Sequence, residues 1–218
     1  MRITGASFEI MRPAVLNDAS RKAIYSAIEA AGRICYKTEE RISEDSAEKF
    51  IRRLIAQEHE AMLEHASMTV KFVVDRGVSH ELVRHRLASF AQESTRYCNY
   101  AQERFNSEIT VIQPIFFRED SPSYEVWKHA CEECEKAYFD LLEIGELPEM
   151  ARNVLPTSVK TEVVMTANIR EWRHFFKLRA IGTTGKPHPQ MQEVALNLLH
   201  VMVCFLPALF DNLLETEE

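Results

Sequence analysis

Met68-Thr-Val-Lys-Phe-Val-Val74 alternates apolar with polar residues and is rich in β-branched side chains, the pattern of a strand with one buried face. The patterns on both sides of it are helical. Upstream, Ser43 reads as an N-cap, with Glu44 and Asp45 in the first turn, for a helix through Phe50, Leu54 and Ile55 to about Glu58. Downstream, Val78 to Leu87 returns to helix, which places Arg84-His85-Arg86 near a helix end. A strand enclosed between helices reads as a mixed α+β chain.

The same reading extends to both ends. Residues 2–10 read as a first strand, and Asn17-Asp18 precede a helix to about Cys35, with Ala23, Ile24, Ala27, Ile28 and Ala31 on one face. Thr95 to Tyr100 and Ile109 to Ile112 are short strands by composition. Ser121-Pro122 opens a long helix from about Tyr124 to Ile144, stopped at Gly145. Leu147-Pro148 begins a short helix carrying Ala151-Arg152. Lys160 to Ala167 is a strand and Arg170 to Arg179 a helix. A loop with Gly182, Gly185, Pro187 and Pro189 then leads to one final helix of about twenty-five residues. No repeat or long linker interrupts the series. The expectation is a single α+β domain over residues 1–218, with a central antiparallel or mixed sheet flanked by long helices.

With 46% apolar and 27% charged residues, the chain has the balance of a globular protein with a substantial core. A net charge of −7 argues against a general nucleic-acid or membrane-surface binder, which needs extended positive surface. The five cysteines are odd in number and scattered, and no secretory signal opens the chain, so reduced thiols in a cytoplasm are expected. Cys131-Glu-Glu-Cys134 has metal-ligand spacing, but no second Cys or His pair stands at a suitable distance. No metal is expected. The apolar run Val201 to Phe210 is about half of a membrane span and contains Pro207, so it reads as a buried C-terminal helix.

Any anionic ligand must therefore meet a local concentration of Arg and His, and three clusters supply one. Arg84-His85-Arg86 leads to Ser94 and Arg96; on a helix the two arginines of the first triplet would point about 200° apart and address different partners. Hydroxyls and backbone amides beside an arginine make a phosphate cradle, although pairing with Glu81 and Glu93 would account for the same residues. Glu58-His59-Glu60 to Glu64-His65 is poorly spaced for a metal and reads equally as a connecting segment. In Asn168-Ile-Arg170-Glu-Trp-Arg173-His174-Phe-Phe-Lys-Leu-Arg179, Arg170, His174 and Phe175-Phe176 suit a planar ring, while Arg173, Lys177 and Arg179 suit a helix C-terminus.

Arg84-His85-Arg86, seven residues, then Ser94-Thr95-Arg96 resembles the signature of the flavin-dependent thymidylate synthases: Arg-His-Arg, seven of any kind, Ser, one residue, Arg. His59, Ala151-Arg152-Asn-Val-Leu-Pro156, Asn168-Ile-Arg170, His174, Leu178-Arg179 and His188-Pro-Gln190 follow the family order. The resemblance covers about residues 55 to 195.

The resemblance implies an enzyme that reductively methylates dUMP to dTMP. Carbon comes from 5,10-methylenetetrahydrofolate, and NADPH reduces a bound FAD that supplies the hydride. It also implies a homotetramer with shared active sites. FAD would be held by His59, Arg84, His85, Arg86, Gln92, Asn168, Arg170 and His174. dUMP would be held by Glu81, Arg84, Gln92, Glu93, Ser94, Thr95, Arg96 and Arg152, with Arg179 against the uracil ring. The family often has a carboxylate where this chain has Gln92, with Glu93 next, so both positions stand as ligand-facing candidates.

The chemistry suits these residue types. A guanidinium stabilises negative charge developing on a uracil ring and stays protonated, so Arg179 would act electrostatically as the catalytic residue. Ser94 is assigned to nucleotide binding because no His–Asp relay adjoins it. No cysteine follows a proline or precedes a histidine, which disfavours the cysteine-adduct route of the other thymidylate synthase class. The rival readings are a non-catalytic nucleotide-binding or regulatory homologue and an oligomeric scaffold whose arginines only pair with carboxylates.

Overall fold

Ile3 stands at an odd position and Phe8 and Ile10 at even ones, so one strand over residues 2–10 would turn its apolar side chains to opposite faces. The structure, a computed structural model describing residues 1–214, resolves the conflict by breaking the run at Gly5-Ala6. β1 (Arg2–Thr4) and β2 (Ser7–Arg12) enter different sheets. In chain order there follow α1 (Asp18–Tyr36), α2 (Ser46–Ala56), β3 (Ser67–Asp75), α3 (Arg76–Leu82), β4 (Ala88–Gln92), β5 (Thr110–Ile112) and α4 (Pro122–Glu143). Then come α5 (Pro148–Ala151), β6 (Lys160–Asn168), α6 (Ile169–Phe176), α7 (Pro189–Phe205) and α8 (Pro207–Phe210).

β1 pairs in parallel with β5, Ile3 opposite Val111. The other sheet has the order β2-β3-β6-β4. β3 and β6 run antiparallel: the Ile169 N–H bonds Ala66 O at 2.9 Å, and the Thr69 and Thr166 hydroxyls lie 2.9 Å apart, so numbers fall along one strand as they rise along the other. Met68, Val70, Phe72 and Val74 are buried on β3, and Thr161, Val163, Met165 and Ala167 on β6, at every second position. This is the mixed α+β architecture with an antiparallel sheet that the alternating pattern indicates.

The chain divides into two compact units, each assembled from three stretches. The first contains Met1–Ser7, Phe72–Arg84 and Phe90–Val164. Its core gathers Tyr100, Ile109, Val111, Cys131, Tyr138, Ala151 and Val159 around α4. Cys131 and Cys134 belong to that helix; burial pushes the Cys131 thiol up to about 11, which suits a packed side chain rather than a reactive one.

The second unit contains Phe8–Lys71, His85–Ser89 and the described residues from Met165 on. Its interior is aromatic. Trp172 stacks on Phe176 at 6.0 Å, and Phe176 meets Phe210 edge-on at 5.5 Å. The final helix is not continuous. Pro207 has no N–H to give to α7, so the chain breaks at Leu206 and restarts with Pro207 at the first position of α8. The next N–H, of Ala208, bonds Tyr25 Oη at 3.0 Å, and burial pushes that phenol up to about 12. Among the described residues no helix is long and apolar enough to cross a membrane.

Further boundaries differ from expectation. The second helix begins at Ser46, because Ser46 Oγ closes its own turn on Ser43, with the Ser43 N–H 2.9 Å away. α3 ends at Leu82, and Thr95 to Tyr100 is turn rather than strand. The helix expected over Arg170 to Arg179 is α6 followed by a π-turn over Lys177–Ile181.

α1 and α2 pack at Gly32. A Cβ there would lie 2.5 Å from Cε1 of Phe50, whose ring is buried. Gly32→Ala is therefore expected to lower stability by about 1–3 kcal/mol, as overpacking does. A calorimetric melt checks this: a drop of several degrees is expected, and an unchanged midpoint would show that the ring moves freely.

Candidate active site

Asn168 caps α6: its side chain accepts the Glu171 N–H at 2.8 Å. The cap fixes Glu171 in the first turn, with His174 and Phe175 three and four residues on along the same face. Glu171 Oε1 lies 2.9 Å from Nδ1 of His85, and both residues are almost fully buried. On the other side of the imidazole, Arg179 Nε lies 3.3 Å from His85 Nε2. A guanidinium only donates, so Nε2 must accept and the proton resides on Nδ1, which donates to Glu171. Glu171, His85 and Arg179 form a hydrogen-bonded chain with one allowed tautomer.

Arg179 sits in the π-turn, where Gly182 N–H reaches back to Lys177 O at 2.9 Å. The wide turn rotates the chain less per residue than regular helix and brings Arg179 onto the His85 side. Gly182 ends it at φ +82°, and a Cβ there would strike Pro187 Cδ at 2.8 Å.

His85 is held below the usual histidine value, first by burial. Its bond to Glu171 opposes the shift, while the nearby Arg179 and His174 charges reinforce it. His174 is exposed and meets His85 edge-on at 5.8 Å; Phe175 does so at 5.1 Å. The potential ligand atoms of His85, Glu171 and His174 all lie within 4.8 Å of one another. The permanently charged Arg179 guanidinium beside His85 opposes a metal cation there.

The remaining predicted residues of this unit lie elsewhere. Arg86 is exposed. Arg170 pairs with Glu64 at 2.7 Å, with both side chains about half exposed. His59 is exposed and borders a pocket between α1 and α2. Arg173, a possible dipole partner by sequence, is buried instead. It bonds Glu60 and Asn212 at 3.0 Å and the carbonyl of Leu209, and so ties α6 to α8 and the turn after it.

In the first unit, Gln92 Nε2 donates to Ser79 Oγ at 3.0 Å and to Thr161 Oγ1 at 3.3 Å, while the residue stays exposed. Glu93 points the other way. Lys160 Nζ lies 3.0 Å from its Oε2 and Tyr100 Oη 3.4 Å from its Oε1, leaving the side chain 12% exposed. Burial alone would lower the Lys160 amine, but Glu162 and Glu93 together hold it above its usual value. Ser94 Oγ accepts the Arg96 N–H at 3.3 Å, and Thr95 is buried. Arg96 pairs with Glu149 at 2.6 Å. Glu81 is half-buried, and Arg84 and Arg152 are exposed.

Glu171, Lys160 and Tyr100 are not among the residues expected from the sequence. Glu171 carried a signal, since it stands three residues after the Asn168 cap and three before His174. Lys160 and Tyr100 carried none.

A family profile described as thymidylate synthase complementing protein matches residues 19–208. The flavin-dependent thymidylate synthase of Pyrococcus furiosus is 38% identical over 164 residues, 75% of this chain and 65% of that protein. The protein of the same name from Geobacter sulfurreducens is 30% identical over 194 residues, 86% of this chain and 81% of that one. The matches take in just under two thirds of the Pyrococcus relatives, 64% for Pyrococcus abyssi. The crystal structure of a UMP/dUMP methylase, PolB from Streptomyces cacaoi, bound with 5-Br dUMP, superposes with a TM-score of 0.75. It covers 97% of this chain and 96% of the other at 24% identity, a likeness of fold. With the profile spanning most of its length and the Geobacter protein aligned over four fifths of its own, this chain belongs to the thymidylate synthase complementing protein family, that of the flavin-dependent thymidylate synthases.

Proposed function

We propose that the chain is a flavin-dependent thymidylate synthase that methylates dUMP to dTMP, with 5,10-methylenetetrahydrofolate as carbon donor and NADPH as reductant. The family match over residues 19–208 carries the reading. The Glu171–His85–Arg179 chain supports it from geometry, because it fixes a permanent positive charge at one place. The reading also takes the chain as one functional domain acting in the cytoplasm as a homotetramer with shared active sites. Light scattering checks the last point, with four times 25.2 kDa expected.

The donor set fits FAD. Arg84 and Arg86 are exposed cations suited to a diphosphate, and the exposed His174 ring suits a planar partner. His59, Arg84, His85, Arg86, Gln92, Asn168, Arg170 and His174 are the proposed flavin-holding residues. Asn168 acts partly by capping α6, and His85 by orienting Arg179. Bound FAD supplies the hydride chemistry.

For dUMP, Arg84, Arg96 and Arg152 are suited to phosphate, with Glu81, Gln92, Glu93, Ser94 and Thr95 completing the set. Lys160 and Tyr100 already engage the Glu93 carboxylate, so Gln92 is the proposed ligand-facing side chain of the pair. Arg179 stabilises negative charge on the uracil ring as C5 becomes nucleophilic. Among the described residues no histidine hydrogen-bonds Ser94, which supports a binding role. Ser94→Ala is expected to raise KM for dUMP about tenfold with kcat nearly kept, as for loss of one binding hydrogen bond. Abolished turnover at unchanged KM would restore a nucleophilic role.

The deciding experiment is flavin absorption of the purified protein, followed by NADPH oxidation dependent on dUMP and methylenetetrahydrofolate, with tritium release from C5-labelled dUMP. Colourless protein that FAD does not reconstitute, yet that binds dUMP, would favour the non-catalytic homologue.

A further inference from the structure

The second unit contains a pocket of about 530 Å³ formed by α1, α2 and the segments that follow each. Three arginines line it, Arg33, Arg41 and Arg53, with His59 and Tyr36. None of its nine lining residues is acidic, in a chain of net charge −7. The neighbouring pocket of about 510 Å³ differs: Glu44, Asp45 and Glu48 line it beside Arg21 and Lys22, and Lys22 pairs with Glu44 at 3.0 Å. Both signs are present there, with one more acid than base, whereas the first pocket is one-sided.

The basic pocket is also built. Arg33 is buried, and Glu29 holds its Nε and Nη2 at 3.0 and 2.8 Å. The other Glu29 oxygen accepts from Ser46 at 2.8 Å, so the guanidinium is fixed from both helices. Phe50 meets two cations: its ring centre is 4.5 Å from Arg33 Cζ and 5.5 Å from Arg53 Cζ. Glu29 neutralises Arg33, which leaves Arg53 and Arg41 to act on a ligand. Arg53 is exposed. Among the described residues the Arg41 guanidinium pairs with Glu40 alone, at 3.5 Å with both side chains about two thirds exposed, a pair that competes weakly with a ligand. Tyr36, 61% exposed at the rim, offers an aromatic face.

We propose that this pocket is an oxyanion site, in which Arg41 and Arg53 grip the charged tail of a co-substrate while the Arg33–Phe50 pair forms a fixed wall. Guanidinium forks match carboxylate and phosphate oxygens alike. The choice of ligand rests on the function proposed above, which supplies two sources of that chemistry: the glutamate carboxylates of a folate and the phosphates of NADPH. His59, a proposed flavin contact, lines the same pocket.

Calorimetric titration of the full chain tests this with three probes: 2′,5′-ADP, and tetrahydrofolate carrying one or three glutamates. Arg53→Gln and Arg41→Gln are each expected to weaken one probe about tenfold, the effect of losing a charge-assisted contact. A loss for 2′,5′-ADP assigns the site to phosphate. A loss for the triglutamate, with the monoglutamate unchanged, assigns it to the folate tail. Lys22→Gln, in the mixed-charge pocket, should change none of the three. The proposal is overturned if no probe binds the native protein, if both arginine variants bind all probes normally, or if Lys22→Gln weakens binding equally. Melting curves of the variants, whose altered side chains are exposed, confirm that each remains folded. Turnover is read separately. Arginine-dependent binding without dUMP-dependent NADPH oxidation would remove the enzyme reading and leave the pocket; turnover with arginine-independent binding would do the reverse.

Discussion

Arg179→Ala is expected to lower dUMP-dependent turnover by about 10²–10³-fold, the usual loss when one preorganised donor to a developing anion is removed. Flavin absorption should persist, because the substitution leaves Arg84, Arg86, Asn168 and Arg170 in place. Preorganisation is the reason for the size of the effect. The guanidinium does not have to be gathered from solvent at the moment of reaction, since the π-turn and His85 Nε2 already aim it. Arg179→Lys should fall between the two, because an ammonium keeps the charge but loses the planar fork and the Nε donor that meets His85. Tritium release from C5-labelled dUMP reads the outcome. Turnover of the alanine variant within about threefold of native would mean that the charge does not act on the ring.

Much of this arrangement was legible in the chain, and the omissions have identifiable causes. β3 and β6 follow from side-chain alternation that the burial repeats position by position. Asn17 and Ser121 act as the caps their types suggest. β4 was not legible: Ala88-Ser-Phe-Ala-Gln92 follows the helix expected to end at Leu87 and has little strand propensity of its own, which tertiary contacts override. His85 is drawn into its bond with Glu171, α3 stops at Leu82, and the segment beyond becomes an edge strand. The same override turns Thr95 to Tyr100 from a β-prone run into turns, with Tyr97 and Cys98 N–H groups bonding back to Ser94 O. Arg84, His85 and Arg86 were visible as a cluster, but their unequal burial was not. The buried member needs an acceptor eighty-six residues away in sequence, a separation no local pattern reports.

Glu171→Gln is the second large effect, a fall in kcat of about 10- to 100-fold from loss of one charge-assisted hydrogen bond in the chain that aims Arg179. The carboxylate only accepts, so it holds the His85 proton on Nδ1. An amide also donates; when it does, the proton moves to Nε2 and confronts the Arg179 Nε–H. The pH profile separates this positioning role from a merely structural one. The folded His85 value lies below the usual 6.5, so at higher pH the imidazole is neutral in both folded and unfolded chain and its stabilising contribution is complete. As pH falls through 6.5 the unfolded chain binds the proton first, and stability drains until the folded value is passed. Activity should fall in the same direction, because protonated Nε2 no longer accepts from Arg179. Glu171 is the group that raises His85 against its burial. Its replacement by Gln must therefore move the acid limb of kcat to lower pH even as the plateau drops. Glu171→Ala should instead leave buried Nδ1 without a partner and cost about 1–3 kcal/mol of stability. If Glu171→Gln lowered kcat with the acid limb unmoved, His85 would not be the group through which the carboxylate acts.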